Sequence, residues 1–360
     1  MRWTVLLGVG PTHICENIDI SKVLTCTHLC ANARCRELVE GLESKLNYLF
    51  GEGRHSFAFP GSGSSAMEAC LQNVIESGDK VVVGVAGVFG KRIALMASRL
   101  GANVICVESE PGQAVDLNKI LKIVISEKVK LVCIVHIETS FGVIQPIHDE
   151  LSKIRSYGTF VMLDVVASYG GVALELDKWG IDIAYASTQK CLSSIAGLSL
   201  VSMNHRMLDY VMKKRKSIWY WDFDAIYEHN KRGVYPYTTP IILLYMLDEC
   251  LNVIHNMGKD KYFEKQKVCA QYVEKNMSKV GFFAFADKTV TAPNMRVFNV
   301  PIGYDAVQIV NELYRNYHIE VATGINDMKK SLIRIGTMGF SANMKNINAL
   351  DKAMRRIVNK

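Results

Sequence analysis

An α/β fold, with a mostly parallel sheet in a large domain and a smaller C-terminal α+β domain, is what this 360-residue sequence predicts. From residue 56 to about 203, short β-rich apolar runs alternate with stretches of helical period, the pattern of right-handed βαβ crossovers. Runs such as Val81-Val82-Val83 are apolar at every position, as strands covered on both faces are. Past residue 204 the alternation stops, and the length exceeds that of a single typical domain.

In chain order, the opening run 3–9 is too short for a secretory core and lacks a small-x-small cleavage site before Gly10-Pro11-Thr12, so it reads as a first strand or arm. A strand at 57–59 precedes a helix at 65–77, whose Met67, Cys70, Leu71, Val74 and Ile75 share one face. Strands follow at 80–85, 103–107, 131–136, 159–164, 181–186 and 198–203, separated by helices at 91–100, 117–126 and 147–157. An aromatic-rich connector holding Trp219, Tyr220, Trp221, Tyr235 and Tyr237 leads to helices at 241–257 and 262–280. The rest reads as strands at 282–285, 296–300, 320–323 and 332–336, with helices at 306–317 and 346–358. The division expected is an arm (1–20), a large three-layer domain (21–257) and a small domain (258–360).

Composition excludes several classes. Half the residues are apolar (49%) and 21% charged, which suits a folded core. The net charge of +7 is diffuse, and Lys213-Lys214-Arg215-Lys216 has no aromatic interleaving, so no nucleic-acid partner is expected. The ten cysteines form no C-x-x-C pair, and most sit among apolar neighbours. That suits core thiols in a reducing compartment, with no metal site. No apolar stretch approaches the ~20 residues of a membrane span. A cytoplasmic protein without a membrane partner is expected.

Three features could carry chemistry. Gly61-Ser62-Gly63-Ser64-Ser65-Ala66 joins a strand to a helix; its glycines let an anion approach the helix N-terminus, where free N–H groups and the dipole favour it. By itself it also reads as a tight turn or a dinucleotide fingerprint, though no convincing acidic residue closes the next strand. Asp164 ends the apolar run 160–163, where a carboxylate points into the crevice at the carboxyl edge of a sheet; capping of the next segment explains it equally well. Lys190 follows the strand at 181–186 through the polar turn Ser187-Thr188-Gln189, and lysine condenses with carbonyl compounds. In combination, an anion cradle, a strand-end carboxylate and a strand-end lysine are what pyridoxal 5′-phosphate requires: a seat for its phosphate, a partner for its ring nitrogen and an amine for its aldehyde.

The sequence resembles the class V aminotransferases, pyridoxal-phosphate enzymes of fold-type I, and within them the alanine–glyoxylate and serine–pyruvate branch. The resemblance runs almost end to end. It is carried by Leu6-Leu7-Gly8-Val9-Gly10-Pro11, the 61–63 turn with Glu68-Ala69, and Gly87-Val88-Phe89-Gly90-Lys91-Arg92. It continues through Glu138-Thr139-Ser140-Phe141-Gly142-Val143 with Gln145-Pro146, Asp164-Val165-Val166-Ala167-Ser168 and Ser187-Thr188-Gln189-Lys190. Tyr235-Pro236-Tyr237-Thr238-Thr239-Pro240 and Ile333-Arg334-Ile335-Gly336 complete it.

That resemblance implies that Lys190 carries the cofactor and moves the proton, while Asp164 pairs with the ring nitrogen. Val166 and Phe89 would pack on the two ring faces, with Thr139 near the ring oxygen. Ser62, Gly63, Ser64 and Gln189 would hold the phosphate, joined by Tyr235 and Thr238 from the other subunit of a homodimer. Arg334 would grip the substrate carboxylate in a bidentate fork, near Gly10 of the arm. The implied reaction transfers an amino group from alanine or serine to glyoxylate or pyruvate. Three positions depart from the branch: Val9 replaces a usual proline, Phe89 a common tryptophan and Ser64 a frequent histidine.

Rival readings are a 2-aminoethylphosphonate–pyruvate type of transaminase, for which 28–31 offers no arginine, and a lyase or desulfurase. A desulfurase needs histidine where Gln189 stands and a loop cysteine, and 318–340 contains none. A nicotinamide-dependent oxidoreductase built on the Gly61 turn and a catalytically silent scaffold are the remaining alternatives.

Overall fold

The computed structural model describes residues 4–15, 18, 33–214 and 217–358. The segment 28–31 and part of the basic run at 213–216 lie outside the described residues.

In chain order the elements are β1 (Val5–Leu6), α1 (Ala33–Phe50), β2 (His55–Gly61), α2 (Gly63–Val74), β3 (Lys80–Val85), α3 (Val88–Arg99), β4 (Asn103–Glu108), α4 (Leu117–Ser126) and β5 (Leu131–Val135). A hairpin of β6 (Ile137–Glu138) and β7 (Val143–Ile144) precedes α5 (Asp149–Arg155), β8 (Phe160–Asp164), β9 (Ile183–Ser187) and β10 (Gly197–Met203). Then come α6 (His205–Lys213), α7 (Phe223–Asn230), α8 (Ile241–Met257) and α9 (Lys259–Ser278). The chain closes with β11 (Phe283–Ala284), β12 (Met295–Asn299), α10 (Ala306–Tyr317), β13 (Ile319–Glu320), β14 (Ala322–Thr323), β15 (Leu332–Gly336) and α11 (Met344–Val358).

Seven strands form the central sheet in the order β2-β10-β9-β8-β5-β3-β4. Only β10 runs against its neighbours, β2 and β9; the other pairings are parallel. Alternation along each strand splits the core. Val82, Val132, Ile134, Val161 and Leu163 face one way, under α1, α4, α5 and α8. Val81, Val83, Leu131, Cys133 and Met162 face the other, under α2, α3, α6 and α7. The sheet is therefore the middle of three layers, which is why its strands read as continuously apolar.

A second sheet, β11-β12-β15-β14, packs with α9, α10 and α11 around its own cluster. Tyr262, in the first turn of α9, packs with the first core, so this helix serves both units.

Four expectations need correction. Helix α1 was not anticipated. The connector after 204 contains two helices, α6 and α7, rather than irregular chain. The hairpin β6–β7 is too short to leave a periodicity. The strand expected at 320–323 is two pieces: β13 pairs in parallel with β1, while β14 joins β15.

Candidate active site

Parallel pairing brings several strand ends to one edge. Register sets Val135 beside Asp164, and Asp164 beside Tyr185. Because β10 runs against both β2 and β9, Gly61 at the end of β2 reaches this same edge, opposite Gly197.

The Gly61 turn is built for an anion. Ser62 caps α2 in a capping box: its Oγ accepts from Ser65 N, and Ser65 Oγ accepts from Ser62 N at 2.9 Å. Gly61 has φ +155°, and a Cβ there would lie 2.6 Å from Ser199 Oγ. At Gly63 a Cβ would press on Val166 at 3.1 Å. The buried Ser187 hydroxyl lies 3.4 Å from that Cβ position and has no hydrogen-bond partner among the described residues. An unpaired hydroxyl beside a helix N-terminus suits a phosphate.

Asp164 is 4% exposed. Its Oδ1 accepts from Val166 N at 2.8 Å and its Oδ2 from Tyr185 OH at 2.8 Å. Burial dominates these bonds and pushes its pKa up to about 6. A buried carboxylate held this way suits a cationic ring nitrogen.

Lys190 Nζ donates to the Val9 carbonyl at 2.5 Å, and burial holds its pKa below the usual lysine range. Gly10, with φ +98°, lies against it: a Cβ there would fall 2.4 Å from Lys190 Cδ. The arm is fixed by Thr12, whose N–H donates to Gln189 O and whose Oγ1 donates to Lys190 O.

Ser62, Gly63, Ser64, Phe89, Thr139, Asp164, Val166, Gln189 and Lys190 line one cavity of ≈ 180 Å³. The other expected residues stand apart from its lining. Gly10 touches Lys190. Arg334 Nη1 donates to the Thr139 carbonyl at 3.2 Å and Nε to the Thr323 carbonyl at 2.7 Å. Its side-on fork is thus half spent, leaving an end-on approach for a carboxylate. Thr238 is exposed. The Tyr235 ring is buried in its own chain, and its hydroxyl donates to the Ala58 carbonyl at 2.8 Å.

Sequence reasoning missed Arg92, Glu138, Tyr185 and the Val9 carbonyl. Arg92, one turn beyond Phe89, lines the cavity and lies 5.0 Å above the Phe89 ring. Glu138, 1% exposed, accepts from Ser140 N and Phe89 N. The three-residue spacing of Phe89 and Arg92 was visible; Tyr185 needed the strand register, and a backbone carbonyl has no side-chain signature.

The class V aminotransferase family profile matches residues 27–350, and the chain belongs to that family. It is therefore an aminotransferase, and the family implies pyridoxal phosphate as cofactor. The chain is 32% identical to the alanine–glyoxylate aminotransferase of Callithrix jacchus, across 98% of this chain and 86% of that one. The solved alanine–glyoxylate aminotransferase of a Nostoc species superposes with a TM-score of 0.94 at 28% identity, covering 100% of this chain and 96% of that one. The ureidoglycine–glyoxylate aminotransferase of Bacillus subtilis follows with a TM-score of 0.93 at 25% identity, covering 100% and 94%. The fold is accordingly that of the fold-type I aminotransferases. No helix of the described residues is long and apolar enough to cross a membrane.

Proposed function

We propose that this aminotransferase binds pyridoxal phosphate and moves an amino group from a small amino acid, alanine or serine, to a small 2-oxo acid, glyoxylate or pyruvate, as a cytoplasmic homodimer. The observation that carries the reading is the gathering of Lys190, Asp164 and the Ser62–Gly63–Ser64 turn around one cavity. Relatives named for alanine and glyoxylate support those two substrates, and serine and pyruvate rest on the sequence resemblance.

When bound, pyridoxal phosphate supplies an electron sink for the carbanion left as a substrate α-carbon loses its proton. The protein does the rest. Gly63, Ser62 and Ser64 would seat the phosphate with Gln189, and Thr238 of a neighbouring subunit would complete that seat. Phe89 and Val166 would close the ring faces and exclude water, with Thr139 at the ring oxygen. The Asp164 carboxylate would keep the ring nitrogen protonated, the attraction of opposite charges drawing its raised pKa back down. Lys190, its amine made available by burial, would attach the cofactor and carry the proton to and from the substrate α-carbon. Arg334 would meet the substrate carboxylate end-on through Nη1 and Nη2, beside Gly10.

Purified protein loaded with pyridoxal phosphate should show a visible absorbance band that L-alanine or L-serine bleaches and glyoxylate or pyruvate restores. Lys190→Ala should lose both the band and turnover; retention of both removes Lys190 from the chemistry. If 2-aminoethylphosphonate bleaches the band while α-amino acids do not, the substrate assignment fails and the cofactor assignment survives. Sedimentation equilibrium tests the dimer.

A further inference from the structure

Arg92, which the mechanism above does not use, lies half-buried on α3 and lines the same cavity as the Ser62–Gly63–Ser64 turn. Its Nη1 donates to Ser64 Oγ at 2.9 Å, and its guanidinium lies over the Phe89 ring. Among the described residues no carboxylate pairs with it. A guanidinium stays charged throughout the working pH range, so one that faces a cavity without a carboxylate partner is a standing offer to an anion.

The hydrogen-bond direction says how that offer is delivered. Arginine can only donate, so Ser64 Oγ is the acceptor in this contact and keeps its own hydrogen to give. A hydroxyl that accepts from a cation is also a stronger donor to the next acceptor in line. Ser64 belongs to the first turn of α2, where N–H groups already favour negative charge. The Phe89 stack holds the guanidinium plane in place.

We infer that Arg92 is a binding residue for the cofactor's phosphate, acting through Ser64 as a charge-assisted relay and making this chain select the phosphorylated cofactor over the bare pyridoxal ring. The inference rests on the cofactor reading above and adds to it a residue and a selectivity. It also gives Ser64 a physical role: serine supplies the hydroxyl and Arg92 the charge.

The test measures dissociation constants of the full chain for pyridoxal phosphate and for pyridoxal, which differ only in the phosphate. Arg92→Gln should weaken pyridoxal phosphate by about 10- to 100-fold, the worth of a hydrogen bond to a charged group, and leave pyridoxal within about two-fold. Ser64→Ala should show the same selective loss, and Arg92→Gln should cost little more in that background, because the two act in series. Inorganic phosphate should raise the melting temperature of the unloaded protein and of Arg92→Lys more than that of Arg92→Gln. Equal loss for both ligands would mean that Arg92 serves the fold or the ring stack and overturns the inference, as would unchanged affinities or strictly additive effects. If the wild-type chain binds neither ligand, the cofactor reading itself falls and takes this one with it.

Discussion

Asp164 has its carboxylate buried between Val166 N and Tyr185 OH, and that burial has a thermodynamic signature. Its folded pKa of about 6 stands above the 3.8 of an ordinary aspartate. The folded state therefore binds the proton more tightly than the unfolded chain does, and stability falls as pH rises from about 4 to 6, then stays lower. In cofactor-free protein, Asp164→Asn should remove that loss: it should be more stable by about 1–3 kcal/mol at pH 7 and equal to wild type near pH 3.5. Asparagine can keep both bonds, since the Tyr185 hydroxyl accepts as well as donates. Loading with pyridoxal phosphate should reverse the order, because only the carboxylate gains a cationic partner. Urea unfolding at two pH values, with and without cofactor, checks both halves; a variant less stable than wild type at pH 7 without cofactor contradicts the account. Asp164 was legible because a charge closing an apolar strand is an anomaly in the sequence, whereas Lys190, set beyond a polar turn, stood out only in combination with Asp164 and the Gly61 turn. Arg334 was found through the family resemblance alone, since an arginine on a short strand looks ordinary.

Helix α3 begins without a cap of its own, because Gly87 has no side chain to fold back. The cap comes from the β6–β7 hairpin. Glu138 Oε2 accepts from Phe89 N at 3.1 Å, and Ser140 Oγ accepts from Val88 N at 3.2 Å. Burial pushes the Glu138 pKa up, and donation to its carboxylate from the Ser140 hydroxyl, Ser140 N and Phe89 N opposes that rise. A carboxylate at a helix N-terminus is favoured by the dipole, and here it also fixes the backbone of Phe89. Gly87 is needed for its lack of bulk: a Cβ would lie 2.6 Å from Glu138 Cδ. Gly87→Ala should cost about 1–3 kcal/mol of stability by pushing the carboxylate off the helix. Glu138→Gln, which places an amide where only acceptors fit, should cost a similar amount. If both leave the urea midpoint unchanged, the hairpin does not cap α3. At this scale the sequence was readable where helical period is clean, as in α4 and α10, whose limits match the pattern residue for residue. In α7 helical turns are hidden within an aromatic-rich connector, and β6 and β7 span two residues each, below any period. Helix α6 does carry a helical period in Met207, Leu208 and Val211, which the reading of 204–240 as a connector passes over.

The arm joins the two units of the molecule. Val5 and Leu6 pair with Ile319 and Glu320, and Leu7 is wholly buried in the C-terminal cluster, its carbonyl accepting from Gly336 N at 2.8 Å. Two residues on, the Val9 carbonyl holds the amine of Lys190 in the large unit. The sequence could not reveal this anchorage, because a parallel pairing across some 300 residues leaves no local pattern. The junction is tight: a Cβ on Gly336 would lie 2.2 Å from the Gly8 carbonyl oxygen, a backbone atom that cannot rotate away. Gly336→Ala should therefore lift the arm from β15 and draw the Val9 carbonyl off Lys190, although residue 336 lies outside the cavity lining. The expected result is faster proteolysis within residues 4–15 and at least about ten-fold slower reaction of Lys190 with pyridoxal phosphate, on the scale of other positioning losses. Gly41→Ala, in α1 with open space at its Cβ, is the matched control and should leave both rates unchanged while adding about 0.5–1 kcal/mol of stability. Were Gly336→Ala to load cofactor at the wild-type rate with its arm still protected, the small unit would be holding the arm without governing the lysine.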